Sequence, residues 1–184
     1  MYSEIKAAQM AGYILHLDGS TMAYLKLLKL LYLAERNAIS RWGESMSGDN
    51  FVSMPHGPVL SFTYDMITGA SRLENGWNKY VSGRANYEVS LNIQAPERDT
   101  WDELSNAELD ILGNTYQMFK NLDKWQLVKY THDHCPEWSD PNGSSTPISI
   151  ESIINATCDK AKSQELINLS HEMSNLDQAR AIIQ

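Results

Sequence analysis

"MAYLKLLKLLYLA", residues Met22 to Ala34, decides the fold. Eleven of its thirteen residues are apolar, and the exceptions are Lys26 and Lys29. A helix apolar on nearly every side must sit at the centre, with other elements packed around it. The stretch predicts a helix from about Met22 to Trp42, capped by Ser20 or Thr21 and stopped at Gly43. Lys26 and Lys29 lie three apart and share a face, so their plainest reading is a solvated stripe. The sharper reading pairs them with a buried carboxylate or a partner. The fold class that follows is mainly α: a single α-helical domain spanning 1–184 around a central apolar helix, with a small β-hairpin.

Ahead of this helix, Ser3 can cap a first one over roughly Glu4 to Asp18, with Ile5, Ala8, Gly12 and Leu15 on one face. Behind it, "FVSMPHGPVLSFTYDMIT" (Phe51 to Thr68) joins an extended run to a corner of proline, histidine and glycine. Pro55 biases Met54 away from helix, and Gly57 permits a tight turn. Pro58, lacking an N–H, suits the first position of a helix expected to run to Thr68 and stop at Gly69. His56 is left over by this account. Trp77 to Ser82 and Tyr87 to Ile93 are expected to form the hairpin, the second arm alternating Tyr87, Val89, Leu91 and Ile93 on one face. Ser105-x-x-Glu108 is a capping box opening one helix, and Asp123-x-x-Gln126 opens the next, which ends before Pro136. A short helix over Ser149 to Thr157 precedes a long one over about Asp159 to Ile183, with a seam of Leu166, Leu169, Met173 and Leu176. That seam is expected to pack on the body; otherwise it offers an apolar surface to a partner.

The chain has 184 residues, 15 basic against 23 acidic, a formal charge of −8. A domain of this length buries roughly 70% of its unfolded surface and needs no staples. The acidic balance argues against a nucleic-acid or anionic-membrane surface and is compatible with a basic protein partner. The two cysteines, Cys135 and Cys158, do not make a disulfide framework. No apolar run approaches the ~20 residues of a membrane span, and the N-terminus has no apolar signal core. A cytoplasmic protein is expected.

Three stretches in order resemble one family. "KLLKLLYLA" (Lys26 to Ala34), "HGPV" (His56 to Val59) with Tyr64 following, and "THDHCPEW" (Thr131 to Trp138) are similar to the "KLxKLLYxA", "HGPVxxxxY" and "TH…PW" motifs of the Panacea, or SocA-like, antitoxin domain, a group that includes phage-associated GepA-like proteins. The motif-bearing region is about 22–138, and the helices of 149–183 complete or extend it. Leu28 stands where the family often has glutamine, and Met54 falls near a position that is often tryptophan. Glu137 separates Pro136 from Trp138, which are commonly adjacent. The resemblance implies a helical, non-enzymatic antitoxin that binds a toxin encoded nearby. The motif residues it marks as structural or partner-binding are Lys26, Lys29, Tyr32, His56, Gly57, Pro58, Val59, Tyr64, His132 and Trp138.

Other chemistries fit the residues less well. His56 as a general acid or base lacks a carboxylate or nucleophile placed to complete a site, which favours a corner locked through hydrogen bonds to backbone. Tyr32 and Tyr64 read as packing residues whose hydroxyls need partners. His132, His134, Cys135 and Cys158 invite zinc, but His132 and His134 are two apart on a helix and point in different directions, and no CxxC or HxxxH pair supports them. Nothing here calls for a cofactor or metal. The first two helices joined by "DGST" have the outline of a helix-turn-helix, yet the second is too apolar to read a major groove, so direct DNA binding is not expected. Two further functions stay open: an adaptor delivering a client to a protease, and a metal-dependent hydrolase using the His/Cys segment.

Overall fold

The computed structural model describes residues 1–70 and 76–183. In chain order it comprises α1 (Glu4–Leu17), β1 (Thr21–Ala23), α2 (Tyr24–Trp42), β2 (Phe51–Met54), β3 (Gly57–Leu60), α3 (Ser61–Thr68), α4 (Trp77–Tyr80) and β4 (Glu88–Ser90). A 3-10 turn (Arg98–Trp101) then leads to α5 (Asn106–Phe119), α6 (Lys124–His134), β5 (Thr146–Ile148), α7 (Ile150–Thr157) and α8 (Lys160–Ile183). The fold is mainly α with two small antiparallel sheets, β1–β4 and β3–β2–β5.

Helix α2 is the centre. Leu27, Leu28, Leu30, Leu31 and Ala34 are buried on all its sides, and α1, α5, α6, α7 and the β2–β3 hairpin pack around it. Each such leucine contributes about 1.5–3 kcal/mol by leaving water. The buried cluster they anchor runs from Ala7 on α1 to Leu166 on α8. Locally signalled helix ends form as the sequence predicts. Ser3 accepts from Lys6 N, Ser105 and Glu108 close a capping box, and Asp123 and Gln126 close another; Ser149, read as the first residue of its helix, is the cap of α7. Gly43 ends α2 and Gly69 ends α3 in the left-handed conformation.

Four expectations need correction. Neither Ser20 nor Thr21 caps α2, because Thr21–Ala23 is drawn into a ladder with Glu88–Ser90; the first helical N–H, at Tyr24, donates instead to Tyr87 O (3.0 Å). The two arms at 77–82 and 87–93 meet antiparallel through the isolated Val81–Leu91 bridge and its flanking bonds, with a second bridge at Ala85–Glu88, rather than as a continuous two-stranded ladder. Trp77–Tyr80 winds into one turn of helix, which buries Trp77 and Tyr80. The hairpin of the fold is β2–β3, with Met54 opposite Gly57 and Pro55-His56 at its tip. Pro58 therefore lies in a strand rather than at a helix start. It is tolerated there because β3 is an edge strand of its sheet.

What starts α3 in its place is a carboxylate from outside the segment. Buried Asp49 accepts from Phe62 N (2.9 Å), Thr63 N (2.9 Å) and Thr63 Oγ1 (2.8 Å), and also from Asn50 N. The fourth correction is at α8: Leu166 is buried, but Leu169, Met173 and Leu176 are exposed, so the seam packs on the body only at its first member. Asp49→Ala, which strands the first-turn donors of α3, is expected to lower unfolding free energy by about 2 kcal/mol in chemical denaturation.

Candidate functional site

The three signature stretches converge on one face of α2. Lys29 is fully buried, and its Nζ donates to Pro58 O at 2.8 Å. It is not part of a solvated stripe, and no carboxylate among the described residues pairs with it. Burial lowers its pKa to about 7, against an opposing pull from Cys135. The Cys135 thiol, itself buried, is pushed up to about 12, so it stays neutral near pH 7. The hairpin approaches so closely because residue 57 has no side chain. A Cβ there would lie 2.7 Å from Thr131 Oγ1 and 2.9 Å from Lys29 Nζ, and the backbone holds φ at +92°.

The end of α6 is tied to the same face. Glu137 Oε1 accepts from Tyr32 OH (2.7 Å) and Arg36 Nε (2.6 Å), while Arg36 Nη2 reaches Glu137 Oε2 and His134 O, both at 3.3 Å. The Glu137 side chain is out of solvent altogether. Burial, then this carboxylate, raises the Tyr32 pKa. Trp138 Nε1 donates to Met54 O (3.0 Å) and Ser139 N to Ser53 Oγ (3.3 Å), which fastens the segment to β2. His132 stacks flat on Trp138, ring centroids 3.9 Å apart. Its Nε2 is buried without a hydrogen bond, and burial, then the Lys29 charge, lowers its pKa.

Val59 is buried opposite Val52 in the hairpin ladder. Lys26 and Tyr64 stand apart from this cluster. Lys26 donates to Lys120 O (2.9 Å) and lies 3.6 Å from Asp18; Tyr64 packs half-buried against the core from α3. Cys158 is not beside His132 either: its thiol donates to Ser40 O. Among the described residues no group of three His, Cys, Asp or Glu could hold a metal ion.

The outer side of the hairpin is different in character. Among the described residues the His56 side chain makes no hydrogen bond to backbone, contrary to the expected tether. It is exposed at the tip, edge-on to Trp125 at 5.4 Å. Together with Tyr24 and Leu25 of α2, Tyr87, and Lys124 of α6, these two rings line an open cleft. Sequence reasoning passed over Trp125, a single aromatic in a polar setting, and Arg36, and it placed Tyr87 on the apolar face of a strand, whereas the ring is exposed. Glu137 was visible as an inserted residue, though its partners were not.

Gly57→Val should destabilise by about 2 kcal/mol or more, since a branched side chain meets Thr131 and Lys29 in a disfavoured backbone region. His56→Gln should cost much less, and thermal melts of the two variants decide it. The second test is pH. Lys29 binds its proton less tightly folded (about 7) than unfolded (10.5), so its unfavourable contribution is full below pH 7 and is relieved as pH rises toward 10.5. Ionisation of Cys135 in the unfolded state, near 9.0, works the other way. From pH 7 to 9, denaturation should therefore show the parent gaining stability relative to Lys29→Met; a pH-independent difference would mean that Lys29 does not titrate there.

No curated protein and no solved structure shows a significant match to the chain. A family model described as antitoxin SocA-like, Panacea domain, matches residues 27–139, from the second turn of α2 through the Glu137–Trp138 anchor. The chain belongs to the SocA-like Panacea antitoxin-domain family.

Proposed function

We propose that this chain, as one domain acting in the cytoplasm, neutralises a toxin protein encoded beside it by binding it directly, without turnover. The family match over residues 27–139 carries this reading. The geometry supports it. Lys29, Tyr32, Gly57, Pro58 and Trp138 are engaged in holding the hairpin and the α6 end against α2. Such cross-links make a stiff scaffold, and a stiff surface loses little freedom when a partner docks. No helix of the described chain is long and apolar enough to cross a membrane.

Occlusion consumes an interface, on the order of 1,600 Å² for a specific complex, so one molecule protects against about one toxin. Co-expression of each flanking reading frame, with and without this protein, should reveal one that is toxic alone and harmless with it. Inhibition of the purified toxin, with no protease present, should then saturate near equimolar amounts. Saturation at strongly substoichiometric amounts would point to an enzyme that modifies the toxin, and inhibition that needs a protease would point to an adaptor.

A further inference from the structure

We infer that the cleft beside the signature hairpin is the partner-gripping face, and that it takes an apolar side chain flanked by carboxylates. This rests on reading the chain as a toxin-binding protein and names the surface that would do it. The cleft has a volume of about 270 Å³, lined by Tyr24, Leu25, His56, Tyr87, Lys124 and Trp125. That is below the ~300–1,000 Å³ of small-molecule pockets and closer to the space one or two side chains need.

Its walls are aromatic and left in water. Tyr87 is 69% exposed and Trp125 55%; Tyr24 stacks on Tyr87 at 6.5 Å. Tyrosine, tryptophan and arginine are the residues that dominate binding hot spots. Tyr87 also holds φ at +64°, a costly conformation for a bulky residue. Its carbonyl is fastened there by Tyr24 N, so the ring is presented rather than free to fold away.

Among the residues that line the cleft, the one fixed charge is the cation Lys124. In a protein of net charge −8, Lys124 lies 5.9 Å from the Trp125 ring, and Arg84, outside the lining, sits over the Tyr24 ring at 5.2 Å. Of the nearby acids, Asp123 accepts from Trp125 N and Gln126 N and so faces its own helix terminus; Glu88 is exposed beside Tyr87. An acidic, apolar segment complements this spot, and a basic one does not.

The test uses the full chain and random short peptides displayed for selection. Enriched sequences should carry an aromatic or aliphatic residue beside Asp or Glu. They should bind about tenfold or more weakly to Trp125→Ala and to Lys124→Glu, and unchanged to Leu169→Gln on α8. Trp125 is exposed and Lys124 half-buried, and melts equal to the parent confirm folding. Basic consensus peptides, peptides indifferent to Trp125→Ala, or no enrichment would each overturn the proposal. So would a dimer that Trp125→Ala converts to monomer, since the occupant would then be a second copy. The two readings separate in the protection assay. If the parent protects and both cleft variants protect equally, the cleft is not the gripping face while the antitoxin reading stands. If peptides bind as described but the parent protects against neither neighbour, the antitoxin reading falls and the cleft remains a dock for acidic segments.

Discussion

The buried ammonium of Lys29 on the carbonyl of Pro58 is the interaction around which the rest is arranged. A lysine fully removed from water, with no carboxylate partner among the described residues, is an expensive thing to place on a central helix. It is compensated by the carbonyl of Pro58 that the hairpin brings, and the hairpin can bring it because Gly57 leaves room. Leucine at position 29 would suit the apolar surroundings and would hold nothing in particular. The lysine instead specifies where β3 must lie.

The same logic repeats around α2. Tyr32 and Arg36 follow Lys29 at spacings of three and four, so all three look out on one side, and together they locate Glu137 and the end of α6. Glu35 points about a third of a turn away and is fully buried. It locates the loop after the helix by accepting from Met46 N (2.7 Å), Ser47 N (2.9 Å) and the Ser47 hydroxyl. Lys26 reaches the C-terminal end of α5. Leucines drive the collapse onto α2 without direction. The few polar side chains on it give each neighbour an address, because an unpaired polar group there would cost more than the contact itself contributes.

Legibility in the sequence follows the range of the interactions. Caps at Ser3, Ser105 and Asp123 bond within three residues, and every one was readable. The central helix was readable because burial on all sides leaves a run of leucines with nothing polar to alternate. Pro-His-Gly-Pro was ambiguous: the same four residues suit a helix start or a hairpin tip. Distant partners settled it, Asp49 taking the first turn of α3 and β5, some ninety residues on, pairing with β2. The lysine stripe was misread for a related reason, since nothing near Lys29 in sequence announces the carbonyl of Pro58. The cleft was hidden altogether, its lining being drawn from four separate segments of the chain.

The hairpin thus has two sides with different demands. Its inner side, Gly57 and Pro58, lies so close on Lys29 and Thr131 that even one added carbon at residue 57 would clash. Its tip carries His56 out to Trp125, where the ring edge forms a wall of the cleft. Fixing the first fixes the second. Binding loses affinity for every side chain and loop it must order, and here the backbone beneath the wall is already ordered by buried bonds. The exposed α8 residues make the contrast. Leu169, Met173 and Leu176 offer apolar area on a helix anchored to the body through Leu166 and the Glu151–His171 pair. Apolar area alone can attract many surfaces; rigid aromatic walls with cations set among them restrict which surface fits.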